Sequence, residues 1–226
     1  MPITDSDRHA IYAGVIVFNV FGLFGNLNVI YAHYRLKALR TKYGAILTML
    51  VSAHTICLLY ELAGMVYNIS GAPLIRRNCF YFISPYLFTY CLQVSLMAAI
   101  STDMLISIAA PLQHRIVRRR TYLSLLVLPG FIYGTVSLYL GFVYADHSKI
   151  SMCQLPSSFP FSVEKIWHLI GLVFTIVTVA SYIAAFTILY CKHSHLNSKL
   201  QLNNGNIERK AMKSLSILII VFICER

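Results

Sequence analysis

The stretch STDMLISIAAPLQHRIVRRR, residues 101–120, puts a carboxylate, Asp103, at the end of a long apolar run. Pro111 comes next, and then arginines at 115, 118, 119 and 120. An acid, a proline and a basic cluster closing an apolar block form a unit whose ends differ sharply in their preference for water. Apolar blocks bounded by basic or polar loops recur on both sides of it.

The whole chain has 226 residues, 58% of them hydrophobic and only 12% charged. An ordinary soluble domain carries roughly a quarter charged residues. A membrane-spanning helix needs about 20 mostly apolar residues. Spans are predicted over about 10–32, 45–67, 79–109, 122–144 and 166–190, after a short outer N-terminus at 1–9. The polar flank MPITDSDRH, with no small-residue cleavage site after the apolar run, makes the first block a signal anchor. The last block, AMKSLSILIIVFICER, starts like a sixth span. Its apolar run from Leu215 to Cys224 rises only about 15 Å, so a partial sixth span is expected over 211–226. The predicted fold is all-α: a multi-pass transmembrane helix bundle with five full spans and part of a sixth.

The net charge of +11 is concentrated in loops. One set of loops holds Arg35, Lys37, Arg40, Lys42, Arg115, Arg118, Arg119, Arg120, Lys192, Lys199, Arg209, Lys210 and Lys213. The alternate set holds Arg8, Arg76, Arg77, Lys149 and Lys165. Lysine and arginine favour the cytoplasmic side, so the first set faces inward and the N-terminus outward. Basic loops beside anionic lipid account for the charge, and nucleic acid is not an expected partner.

Asn26, His54, Glu61 and Asp103 are the notable polar side chains inside the blocks. An ionised group at the bilayer centre costs about 2.5–3.5 kcal/mol, so these should face one another or a wet cavity. His54 and Glu61 share one face of the second helix. Two readings stay open for them: lining of a ligand or ion cavity, or polar glue between helices. Trp167 and His168 open the fifth span and read as an interfacial anchor.

The cysteines at 57, 79, 91, 153, 191 and 224 show no zinc or redox spacing, and no metal site is expected. Cys79 starts the third span and Cys153 lies in the following outer loop, both in an oxidising compartment. A bridge between them would pin that loop to the third helix. Cys57, Cys91 and Cys224 read as small apolar packing groups, while Cys191 at the inner boundary is a candidate for acylation. Asn68-Ile69-Ser70 is a glycosylation sequon close to the membrane.

Together these features resemble a rhodopsin-like (class A) G-protein-coupled receptor, and more narrowly a nematode serpentine chemoreceptor of the Srsx type. Gly25-Asn26 with Val29 is similar to the first-helix GNxxV motif. Cys79 and Asp103 stand 24 positions apart, as do the third-helix cysteine and the DRY aspartate of that family. This span rises about 36 Å, enough to cross a membrane. Asp103, Ile108, Pro111 and Leu112 follow the DRYxxIxxPL pattern, but Met104 and Leu105 replace the arginine and tyrosine. In the family that arginine holds the inactive state and then meets the G protein; methionine does neither. The resemblance leaves Asp103 with Arg115 or Arg118–Arg120, or water, as expected partners. His54 stands where the family has the sodium-site aspartate, and the usual fourth-helix tryptophan is absent.

The resemblance implies a receptor for an external small molecule or peptide, in the plasma membrane, coupled to a heterotrimeric G protein and needing no cofactor. The partial sixth span raises an alternative, a non-signalling membrane partner of full-length relatives or a pseudogene-like product. A transporter would show repeats or broken helices. An enzyme is not expected, since HExxH, GxSxG and glycine-rich phosphate loops are all missing from the sequence.

Overall fold

A computed structural model describes residues 5–69, 75–150 and 152–197. Within them the chain forms helices α1 (Asp5–Arg35), α2 (Lys42–Ile69), α3 (Arg76–Ala109), α4 (Pro111–Ile116), α5 (Arg119–Tyr144), α6 (Leu155–Ser158) and α7 (Phe161–Asn197). A 3₁₀ turn at Lys37–Leu39 joins α1 to α2. Five segments are long and apolar enough to cross a membrane: Ala13–Arg35, Lys42–Ile69, Arg76–Ala109, Arg119–Tyr144 and Phe161–Lys192. They are the five full spans read from the sequence, each running a little beyond its apolar block. Helical backbone continues past the hydrocarbon core because it keeps its peptide groups paired. The partial sixth span at 211–226, with Cys224, lies outside the described residues.

The long helix α3 is the axis of the bundle and packs against α2, α5 and α7. Of its most apolar window 44% is buried, against 11% for α1, which touches mainly α2. Pro85 interrupts α3 and removes the N–H that would reach the Tyr81 carbonyl. The Ser84 hydroxyl donates to that carbonyl at 3.0 Å instead, so the helix continues through the proline.

Helices α3 and α5 approach closely because α5 presents glycines where α3 presents rings. A Cβ on Gly141 would lie 2.0 Å from the Phe80 ring, and one on Gly134 would lie 2.6 Å from Phe88. Small residues that admit a neighbour's bulk are the usual currency of helix association in lipid, where burial of apolar surface gives no advantage.

Two ends can be distinguished. At the disulfide end, Phe80, Ile83, Leu87, Tyr133, Leu155, Phe159 and Trp167 form a continuous core around the Cys79–Cys153 bridge. At the basic end, a smaller core of Ile46, Leu96, Ala99 and Ile100 underlies the arginine-rich loop. Trp167 departs from the interfacial anchor expected of it, being only 6% exposed. The segment through Phe159 folds over it, its ring centroid lies 5.5 Å from that of Tyr90, and its indole N–H donates to Cys91 Sγ at 3.4 Å. An indole whose N–H finds a partner gains more by packing its full ring than by lying half wet. His168 beside it is exposed and faces Glu164 at 3.6 Å.

Candidate functional site

The segment between α5 and α7 is tied down at several points over the disulfide end. The Cys79–Cys153 bridge joins it to the first turn of α3. Arg76 Nη1 reaches both Asp146 carboxylate oxygens at 2.7 and 2.8 Å, and its Nε donates to the Ser157 carbonyl at 3.3 Å. Ser148 donates its hydroxyl and its N–H to Asp146 Oδ1 at 2.6 and 3.1 Å. These two bonds, and then the Arg76 guanidinium, hold the Asp146 carboxyl below the usual carboxylate range. Asn68, at the end of α2, adds a two-point clasp. Its Oδ1 accepts the Cys153 N–H at 2.8 Å and its Nδ2 donates to the Cys153 carbonyl at 3.3 Å. The Asn68 carboxamide, read from the sequence as a glycosylation candidate, is thus occupied by backbone.

Beneath this cover lies a cavity of about 420 Å³ between α1, α2, α3 and the segment 152–156. Such a volume is in the usual range for small-molecule sites. Its walls are Tyr60, Met65, Ile83, Tyr86 and Leu155, and Glu61 opens into it. Tyr86 donates its hydroxyl to Glu61 Oε1 at 3.1 Å, and Asn19 donates its amide to Oε2 at 3.3 Å. Asn19 is 2% exposed and also donates to the Val15 carbonyl at 2.9 Å. Its own Oδ1 has no partner among the described residues.

One level deeper, Asn26 Nδ2 lies 3.3 Å from His54 Nδ1. The pairs Asn19–Glu61 and Asn26–His54 are two rungs of one ladder. Seven positions separate the asparagines on α1 and seven separate Glu61 from His54 on antiparallel α2, two helical turns in each case. His54 is engaged with α1 and does not line the cavity described, whereas Glu61 does both. Gly25 is exposed, a Cβ there would meet nothing within 4 Å, and Val29 is half-buried; Asn26 alone of that motif makes an interhelical polar contact.

Asp103 occupies the other end and is 2% exposed. Its Oδ1 accepts the Tyr122 hydroxyl at 2.7 Å and faces His114 Nε2 at 2.9 Å. Tyr122 comes from the first turn of α5 and His114 from α4, a short helix opened by Pro111 at its first position. The Lys42 ammonium donates to the His114 carbonyl and lies 5.1 Å from the Tyr122 ring centroid. The sequence expectation that Arg115 or Arg118–Arg120 would serve Asp103 is therefore corrected: all four are exposed. A buried acceptor is best satisfied by groups that come from packed helices, while guanidiniums keep their hydration by staying outside. Met104 and Leu105 are half-buried and Pro111 is exposed.

Sequence reasoning therefore missed Asn19, Tyr86, His114 and Tyr122. A signal existed for Asn19, which precedes Asn26 by the same two turns that part His54 from Glu61. None existed for the other three, which meet their acids only across helices. Among the described residues no group of three His, Cys, Asp or Glu side chains is arranged to hold a metal ion.

No curated protein matches the chain. Residues 19–225, nearly its full length, match the family described as serpentine type 7TM GPCR chemoreceptor Srsx. On that match, with five helices long and apolar enough to cross a membrane, the chain belongs to the Srsx family of serpentine 7TM GPCR chemoreceptors.

Proposed function

We propose that the protein is a plasma-membrane chemosensory receptor with its N-terminus and disulfide end outside the cell. An external small molecule enters the cavity beside Glu61, and the basic end signals to a heterotrimeric G protein. The observation that carries this reading is the cover over the cavity: a disulfide, the Asn68 clasp and the Arg76–Asp146 pair all fix the segment 146–157 above it. A rigid roof on a cavity of ligand size is what recognition of a small solute requires. Ligand favours one arrangement of the helices over another, and α3 reaches directly from the cavity wall at Tyr86 to Asp103. In this reading Asp103, Met104, Leu105 and Pro111 form the transducing corner, with His114 and Tyr122 holding Asp103 in the resting arrangement. A G-protein helix would enter a groove opened beside them. Of the residues Gly25, Asn26 and Val29, Asn26 contributes to the α1 side of the α1–α2 seam through His54.

The test is a cell line carrying a G-protein reporter, exposed to a panel of volatile and water-soluble cues. Gly64 lines the cavity, and a Cβ there would meet nothing within 4 Å. Gly64→Phe should abolish the response to an active cue while surface staining stays level. A G64F receptor that responds like the parent removes the cavity from the mechanism. Met104→Arg should strengthen coupling, and unchanged coupling would show that the missing arginine is immaterial. An N-terminal tag should stain intact cells, and a tag inserted at residue 118 should stain only after permeabilisation.

A further inference from the structure

The cavity wall contains an acid, Glu61, with no cationic partner among the described residues. Glu61 receives two hydrogen bonds, from the Tyr86 hydroxyl and the Asn19 amide, and both donors are neutral. A carboxylate offers about four lone-pair positions, so two acceptor positions remain. Among the described residues no lysine, arginine or histidine forms an ion pair with Glu61. The nearby Asn19 Oδ1, on a side chain that is 2% exposed, is a further acceptor without a partner. Asp103 is the contrast, since a histidine stands against it at 2.9 Å. The excess at the cavity is therefore acceptor capacity and negative charge, in a lining that includes two tyrosines, Tyr60 and Tyr86. Carboxylate plus aromatic ring is the surrounding that favours an organic cation over a neutral solute or an anion.

We propose that the cavity recognises a small organic molecule through a protonated amine, with Glu61 as its counter-ion and Tyr60 and Tyr86 against its carbon frame. This rests on the cavity reading above and names the ligand class for it. Tyr86 and Asn19 act as positioning residues: their two hydrogen bonds fix the carboxylate of the exposed Glu61 at the cavity wall.

The test uses the full chain in phosphatidylcholine nanodiscs, with unfolding followed through the single buried tryptophan, Trp167. Phenethylamine and its neutral counterpart phenethyl alcohol are titrated in parallel against the parent, E61Q and G64F. The parent should be stabilised at amine concentrations at least about tenfold below those of the alcohol, as a charge pair with Glu61 implies. Glu61→Gln should erase that preference while keeping the ligand-free unfolding temperature, because the new carboxamide still accepts from Asn19 through its oxygen and donates to the Tyr86 hydroxyl oxygen through its nitrogen. G64F should erase stabilisation by both compounds. Equal stabilisation by both, lost in G64F but kept in E61Q, would overturn the amine assignment and leave the cavity standing. No stabilisation sensitive to G64F would overturn the cavity reading itself.

Discussion

Glu61 and Asp103 are both acids set in apolar helices, and the bundle treats them in opposite ways. Asp103 is 2% exposed, with His114 and Tyr122 closing over one of its oxygens at 2.9 and 2.7 Å. Glu61 opens on a cavity of about 420 Å³ and, among the described residues, is met only by neutral donors. The local sequence signals hardly differ, each acid lying in a run of apolar and small residues. The difference comes from what the third helix meets at each end. At the basic end α4 and α5 fold back onto α3, so His114 and Tyr122 both reach Asp103. At the disulfide end the covering segment is held up by its bridge and its clasps and leaves space beneath.

That contrast can be broken most severely at the roof. Cys153→Ser removes a bridge spanning 74 positions and should cost about 4 kcal/mol by loop entropy. Trp167 fluorescence in thermal unfolding would show it, and the reagent side of the same experiment is informative. An impermeant thiol reagent should label Cys79 in intact cells only after reduction, and labelling without reductant would contradict both the bridge and its outward placement. Next comes the enclosed acid. Asp103→Ala strands the buried Tyr122 hydroxyl donor and removes the partner of the half-buried His114 ring, and should lower stability by about 3 kcal/mol, measured by denaturation in nanodiscs. A loss as small as that of a surface substitution would mean that His114 and Tyr122 do not depend on it.

Tyr122→Phe deletes one charge-assisted hydrogen bond and keeps the ring, for an expected loss of about 1.5–3 kcal/mol. Glu61→Gln, by comparison, should stay within about 0.5 kcal/mol in the absence of ligand. If E61Q proved as damaging as D103A, the two acids would be structurally equivalent and the contrast would vanish. The smallest effect concerns Asp146. Its carboxyl is held low by Ser148 and Arg76, so the pairing is in full strength above the ordinary carboxylate range and is lost only as pH falls through the lowered value. Mobility of the roof, read by hydrogen exchange at 146–150, should therefore stay constant from neutral pH downward and rise only in strong acid.

Much of the architecture was legible because its cause is local. Twenty-residue apolar blocks, separated by basic or polar loops, suffice for five spans and an alternating path, since a helix satisfies its backbone within itself. Asn26 and His54 could be expected to meet some polar group because lipid offers none, and the seven-position spacing put His54 and Glu61 on one face. The Cys79–Cys153 pairing followed from two thiols read as lying in the same compartment. Which residues would answer Asp103 was not legible. The nearest charges in sequence were arginines, whereas the answer came from a histidine eleven positions on and from a tyrosine in the next helix.

The sequence by itself determined where the chain is apolar, which loops are basic and which rungs of α1 and α2 carry polar groups, because these depend on composition and on the 3.6-residue period alone. Only the tertiary structure decided that Trp167 is buried, that Asn68 clasps Cys153, and that one acid is sealed while the other borders a cavity. Those outcomes depend on how closely helices approach and on what a folded loop covers. Such distances are set by pairs like Gly141 and Phe80, which lie far apart in the chain and meet only once the bundle has packed.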